Sequence, residues 1–215
     1  MSPVIITFQL VTLIFSIMIH EISHGWTALK LGDTTARDAG RLTLNPLKHL
    51  DPFGSIILPI MLIAFGSPIL IGWAKPVPYN PYNIRGNPQK GAALIAAAGP
   101  LSNITIAVVF GIFLRLAAVL FGPIQTAGLI ILVNIVVFIN ILLAIFNLIP
   151  VPPLDGSSIL FAFLPPGARG IRNFLTRYGF IILIFFVFSP LFQTVLTPLV
   201  TNIHRLIVGS GISLF

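Results

Sequence analysis

The sequence predicts an all-α protein that passes through a membrane several times. Three observations predict it. Hydrophobic residues make up 56% of the 215 and charged residues 8%, with a mean hydropathy of +1.03, which leaves too little polar surface to coat a soluble domain. The apolar residues come in uncharged runs of about 20, enough to cross a hydrocarbon core as an α-helix. The basic residues gather in short polar segments between those runs, as they do on the cytoplasmic side of membrane proteins. The expected architecture is a single membrane-embedded domain over 1–215. It has about four full transmembrane helices, a re-entrant hairpin with a short β segment, and a C-terminal membrane segment at 197–215 whose crossing the sequence leaves open.

Pro3 to Lys30 is the first helix, with no charge before His20. Gly32-Asp33 stops it. Residues 30–52 carry Lys30, Arg37, Arg41 and Lys48, which puts this segment in the cytoplasm and the N-terminus outside. Within it, Arg41-Leu42-Thr43-Leu44 alternates as a short strand does, and Asn45-Pro46 ends the run. Residues 54–74 are apolar again, but Pro59 and Gly66-Ser67-Pro68 interrupt them. Lys75-Pro76-Val77-Pro78 is excluded from a helix interior, and Arg85 and Lys90 make 75–90 cytoplasmic too. Gly91 to Leu114 is a second crossing with a small-residue start, Ala92 to Pro100, suited to close helix packing. Arg115 then snorkels to the far interface. Gly122-Pro123 turns the chain into a third crossing, Ala127 to Ile149, which holds Asn134, Asn140 and Asn147. The prolines from Pro150 to Pro153 unwind its end. Pro165 to Arg177 is a basic loop, and Tyr178 to about Leu196 is the last secure span.

The first run ends in Ile19-His20-Glu21-Ile22-Ser23-His24-Gly25, an H-E-x-x-H pattern. Residues four apart share a helix face, so His20 and His24 can point at one metal ion while Glu21, one step round, reaches a water on it. Two imidazoles beside a carboxylate base are the parts of a zinc hydrolase. Glu21 is the only glutamate in the chain, and an ionisable residue in a crossing helix is costly enough to argue for a role. Cysteine is absent, so a metal must take His and carboxylate ligands, which suits zinc.

The net charge of +7 does not point to nucleic acid, since no basic run with interleaved aromatics exists. The N-terminus lacks the basic start of a cleavable signal, and no soluble domain is expected at either end. A third ligand must come from His49, His204, Asp33, Asp38, Asp51 or Asp155. The two histidines lie in or beside polar segments and read as solvated. Asp33, Asp38 and Asp51 lie in the polar loop. Asp155 stands apart, at the end of a long uncharged stretch between Pro-Pro-Leu and Gly. Unwound backbone at membrane depth is tolerated only where it is buried in protein or lines a cavity.

Parity constrains residues 52–91. If His20, His24 and Asp155 share a depth, the first and third helices run from outside to inside and the second runs back. The chain between 52 and 91 then starts and finishes in the cytoplasm. Two crossings need about 40 apolar residues, more than this stretch has. A re-entrant hairpin is expected, with Gly66-Ser67-Pro68 at its tip and an extended return from Ile69 to Pro78. Its free edge is expected to pair with an unwound substrate strand.

Six stretches carry a resemblance. They are His20 to Gly25, Gly40 to Pro46, Asp51 to Gly54, Gly72 to Pro78, Ala98 to Asn103, and Asn147 to Pro150 with Leu154-Asp155-Gly156. Together they resemble the site-2 protease family of intramembrane zinc metalloproteases, in its compact bacterial form without PDZ or cystathionine-synthase-like domains. The likeness covers about residues 1 to 160, the expected catalytic core, with the motifs in family order. It implies one zinc per chain held by His20, His24 and Asp155, with Glu21 as general base and Asn147 steadying the substrate carbonyl. It also implies a transmembrane protein as substrate, and a multi-pass protein of the cell membrane whose active site lies towards the cytoplasm.

From position alone, Asn147 reads equally as an oxyanion donor or an interhelical hydrogen bond. Asn103 has the same two readings, with the structural one ahead. The Asn103-Ile104-Thr105 sequon lies in an apolar crossing and carries no glycan reading. Two rival functions remain at this stage. A transporter would use His20, Glu21, His24 and Asp155 as a cation pathway, but no pair of broken helices in matching halves is present. A silent zinc-binding relative is argued against by the intact Glu21.

Overall fold

The computed structural model describes residues 2–57, 60–61, 64–65, 75–122 and 127–214. Helix α1 spans Pro3–Lys30, with Ser2 capping its start and Pro3 at its first turn. A one-turn helix α2 follows at Thr35–Asp38. Helix α3 is Pro88–Phe121, α4 Ala127–Asn147, α5 Asp155–Phe163, α6 Arg169–Phe188 and α7 Thr197–Val208. Among the described residues four helices are long and apolar enough to cross a bilayer: α1, α3, α4 and α6. The protein is therefore a multi-pass membrane protein built from helices.

α3 packs against α1, α4 and α5 and is the centre of the bundle. It is longer than its apolar run. The Asn87 side chain accepts from the backbone N–H of Gln89 and Lys90, so the polar residues before Gly91 form a capped first turn. At the other end Arg115 does not stop the helix, because its guanidinium donates to the Leu206 carbonyl. α6 likewise starts earlier than expected and stops at Phe188, before Ser189-Pro190. The arginines read as a loop form its first turns, with Arg172 over the Phe161 ring and Arg177 over Tyr178.

One apolar core joins Ala107 and Leu114 of α3, Val133, Val137 and Ile141 of α4, and Val200 and Val208 of α7. It fills the half of the bundle away from His20 and Asp155. α7 has 12 residues and continues without a break from a π-helical turn at Phe192–Leu196. The tail beyond it is held by Asn134, which donates to the Ile212 carbonyl and accepts from the Leu214 N–H. α7 packs on α3 and α4.

The expected β segment is not there: no strand occurs among the described residues, and Leu50 forms only an isolated bridge. Residues 42–44 are bends. Lys75 to Pro78 is extended but makes no ladder, for a physical reason. Pro76 and Pro78 have no N–H to offer. The remaining two donors are engaged elsewhere, Lys75 N–H on the His49 carbonyl at 2.9 Å and Val77 N–H on Glu21 at 2.8 Å. Among the described residues of the expected return, 75–78, substrate therefore has no strand to add to; residues 69–74 lie outside the described residues. The His49–Lys75 bond does bring the two ends of the intervening segment together. The hairpin tip, Gly66-Ser67-Pro68, lies outside the described residues.

Candidate active site

α1 places His20 and His24 on one face, turned towards α3 and the start of α5. Their rings meet edge to face, with centroids 4.6 Å apart. Close approach of α3 is possible because residue 99 is a glycine. A Cβ there would sit 2.5 Å from both His20 Nε2 and His24 Cε1. Asp155 comes from the other side, as the first residue of α5. Residues 148–154 between α4 and α5 are turns and bends, as the prolines require. Gly156 lets this unwound segment fold against α5, since a Cβ would collide with the Leu148 carbonyl. The helix N-terminus favours a carboxylate at Asp155.

Asp155 Oδ2 lies 3.0 Å from His20 Nε2 and 3.4 Å from His24 Nε2. The proton positions follow from the partners of the other ring nitrogens. His24 Nδ1 faces the Ile95 carbonyl at 2.7 Å, and a carbonyl only accepts. His20 Nδ1 faces Asn103 Oδ1 at 2.6 Å. Both Nδ1 atoms are donors, so each imidazole in its neutral form turns an Nε2 lone pair towards Asp155 Oδ2. That carboxylate oxygen is itself buried with no hydrogen-bond partner. With both imidazoles neutral, as metal binding requires, three lone-pair atoms converge and suit a cation among them. The donor set, two imidazoles and a carboxylate, fits zinc with room for a further ligand. His20, Glu21 and His24 also offer ligand atoms within 4.8 Å of one another. Glu21 is held separately, Oε2 accepting from the Val77 N–H.

The other candidates lie elsewhere. His49 and His204 are buried, 2% and 0% exposed, not solvated as expected. His49 Nε2 bonds the Thr43 carbonyl and His204 Nδ1 the Ser213 hydroxyl, and each holds its own loop. Asp51 accepts from the N–H groups of Phe53 and Gly54, and Asp38 pairs with Arg37. Asn147 Nδ2 donates to the Leu143 carbonyl of its own helix at 3.0 Å.

Asn103 follows its structural reading, an interhelical hydrogen bond, through Ser16 and Asn140. Its oxygen is in addition aimed at His20. Sequence reasoning missed this pairing. The available signal was the spacing Gly99–Asn103, one turn apart on the face that Gly99 brings up to α1. The role of the 75–78 segment in holding Glu21 was missed as well, and no local pattern announces it.

A profile of Peptidase family M50 matches residues 111–186, from the second half of α3 through Asp155 into α6. Over 196 residues the chain is 39% identical to the putative zinc metalloprotease YwhC of Bacillus subtilis, which takes in 89% of this chain and 85% of that protein. It is 30% identical over 180 residues to the putative zinc metalloprotease Rip2 of Mycolicibacterium smegmatis, covering 82% of this chain and 65% of the relative. To Rip2 of Mycobacterium tuberculosis it is 29% identical, over 81% of this chain and 64% of the relative. No solved structure matches.

Proposed function

The chain belongs to peptidase family M50, and from that membership we infer how its residues act as an intramembrane zinc metalloprotease. The family sets aside the transporter reading, and the His20–Glu21–His24 cluster suits its single zinc. The observation that carries the site assignment is the convergence of His20 Nε2, His24 Nε2 and Asp155 Oδ2 in a buried cluster. These three residues would hold the ion. When bound, zinc lowers the pKa of its water to about 7 and polarises the scissile carbonyl.

The rest is the work of the chain. Val77 N–H fixes Glu21 Oε2, so the carboxylate presents its other oxygen in one orientation. Glu21 takes the proton of the attacking water and returns it to the leaving nitrogen, which breaks the C–N bond with the proton balance closed. An amide carries two N–H groups, and Asn147 has one on Leu143. The other is the proposed donor to the developing oxyanion. The substrate is a membrane-embedded segment of another protein, and the working core is about 1–160 in one domain. Of the 12 basic residues, all but Arg115 and Arg205 lie in segments at the site's end of the bundle, which supports a cytoplasmic placement of the site.

The test uses the full chain and a membrane-spanning reporter. Glu21→Gln is expected to keep zinc and lose roughly 10²- to 10⁴-fold in cleavage rate. Asn147→Ala is expected to keep zinc and lose roughly 10²- to 10³-fold. Cleavage by Glu21→Gln at near the wild-type rate would remove Glu21 from this role.

A further inference from the structure

We propose that a buried relay of Asn103, Asn140 and Ser16 positions His20 and sets the tautomer with which it meets the metal; this rests on the assignment of His20 as a ligand. The three residues come from three helices, α3, α4 and α1. Asn103 and Asn140 are fully buried and Ser16 is 4% exposed. Amides at this depth are costly unless every polar atom is matched.

Here the matches run in one direction. Asn140 Nδ2 donates to the Val136 carbonyl at 2.8 Å and to Ser16 Oγ at 2.9 Å. Its Oδ1 is thereby turned to Asn103, whose Nδ2 donates to it at 2.9 Å and to the Ser16 carbonyl at 3.3 Å. Asn103 then cannot flip its amide without setting its oxygen against Asn140 Oδ1 and the Ser16 carbonyl. Its Oδ1 is left facing His20 Nδ1 at 2.6 Å. An amide oxygen only accepts, so the proton of His20 is fixed on Nδ1 and the Nε2 lone pair faces Asp155.

The two histidines reach this state by different means. His24 uses the backbone carbonyl of Ile95, which any residue at 95 would offer. His20 instead depends on a side chain, so its orientation is encoded in Asn103 and can be removed by mutation. A pair of amides serving only as interhelical glue would be satisfied between α3 and α4 and would not need His20. The relay also ties ligand geometry to the contact between α1 and α4, through Ser16.

The test measures metal binding by the purified full chain, by competition with a chromophoric chelator for zinc and by the visible spectrum of the Co²⁺ form. Imidazole ¹⁵N shifts report the His20 tautomer. Asn103→Leu is expected to weaken zinc about 10- to 100-fold, shift the Co²⁺ bands and lose the Nδ1–H signal. Asn103→Asp keeps an acceptor towards His20 but loses the donor to Asn140 Oδ1 and the Ser16 carbonyl, so it is expected to keep the Nδ1–H signal and to lose less affinity than Asn103→Leu. Ser16→Ala, the mildest change, is expected to weaken zinc about 2- to 5-fold. Should Asn103→Leu fail to fold, the Asp and Ser16 variants still decide. Wild-type affinity and tautomer in Ser16→Ala, or equal losses in folded Asn103→Leu and Asn103→Asp, would overturn the relay. A wild-type chain that took up no zinc would instead overturn the ligand assignment, and the relay with it.

Discussion

The single hydrogen that Gly99 carries in place of a side chain sets how near α3 comes to the two imidazoles. The modest Gly99→Ala change puts a methyl carbon 2.5 Å from His20 Nε2, well inside van der Waals contact. The rings cannot turn away freely, because their Nδ1 atoms are tied to Asn103 and to the Ile95 carbonyl. Either the helices part or the ligands tilt. Overpacking of this kind costs about 1–3 kcal/mol, which a bundle with α1 and α4 packed along α3 withstands. Gly99→Ala is therefore expected to fold and to lose zinc, by at least about 10-fold in affinity, as a disturbed supporting shell does. Metal content after dialysis, beside a helix-content measurement by circular dichroism, checks it. Full retention of zinc by a folded Gly99→Ala protein would mean the rings have slack that the structure denies them.

Between elements, Asp33 clasps the end of α1 to the segment that holds Glu21. The carboxylate is fully buried. It accepts from Thr35 N–H and Oγ1, from Asn80 N–H at 2.7 Å and from Asn83 Nδ2 at 2.9 Å. Arg85 N–H adds a bond to the Leu31 carbonyl. Burial alone would push the Asp33 pKa up, but the hydrogen bonds from Thr35, Asn80 and Asn83 outweigh it and hold the pKa below its ordinary value.

The sign follows. A carboxylate with a lowered folded pKa contributes fully above the unfolded value of about 3.9, and its contribution fades as pH falls through the lowered value. The clasp is thus expected to stay closed through neutral and mildly acidic pH and to open only in strong acid. Asp33→Ala is expected to open it at neutral pH. Proteolysis next to Tyr82, 95% exposed within this segment, should then rise sharply while α3 stays intact. No change in cleavage would show that Pro76, Pro78 and Pro81 alone keep the segment in place.

Over the whole molecule, the outer surface is what water would reject. Val119 is 82% exposed, Phe163 82%, Phe185 73% and Phe188 74%, and α6 buries only Gly179. In a bilayer these side chains face lipid and need no partner. The charges sit at the ends instead. α1 and α4 run the same way and α3 returns, because the ends of α1 and α4 and the beginning of α3 all meet around Asp155. The positive-inside bias then predicts one orientation.

The chain has no cysteine of its own, so single cysteines report it cleanly. Gly170→Cys, where an added Cβ meets nothing within 4 Å, is expected to react with an impermeant thiol reagent only after the inner face is opened. Ser2→Cys at the start of α1 is expected to react from outside. The reverse pattern would invert the protein and put the site on the outer side.

Much of this was legible in the sequence, because it depends on short-range pattern. An uncharged run of about 20 residues has to be helical in lipid, wherever its neighbours lie. The His20–His24 spacing puts both rings on one face of any helix. Asp155 stood out because carboxylates are so scarce here. Boundaries were read less well, at Pro88 and Arg169, since a capped polar turn and a basic amphipathic turn look like loop. The β segment was misread, because alternation in Arg41 to Leu44 and extension at Lys75 to Pro78 do not make a sheet without partner strands. Tertiary structure alone decided that Val77 meets Glu21, that Asp33 reaches Asn80, and that Asn103 aims its oxygen at His20 with Asn140 and Ser16 behind it. Those contacts join residues 47 to 124 positions apart. The spacing of residues along one helix constrains them on that helix only. Which side chain of another helix they meet is set by how the helices pack.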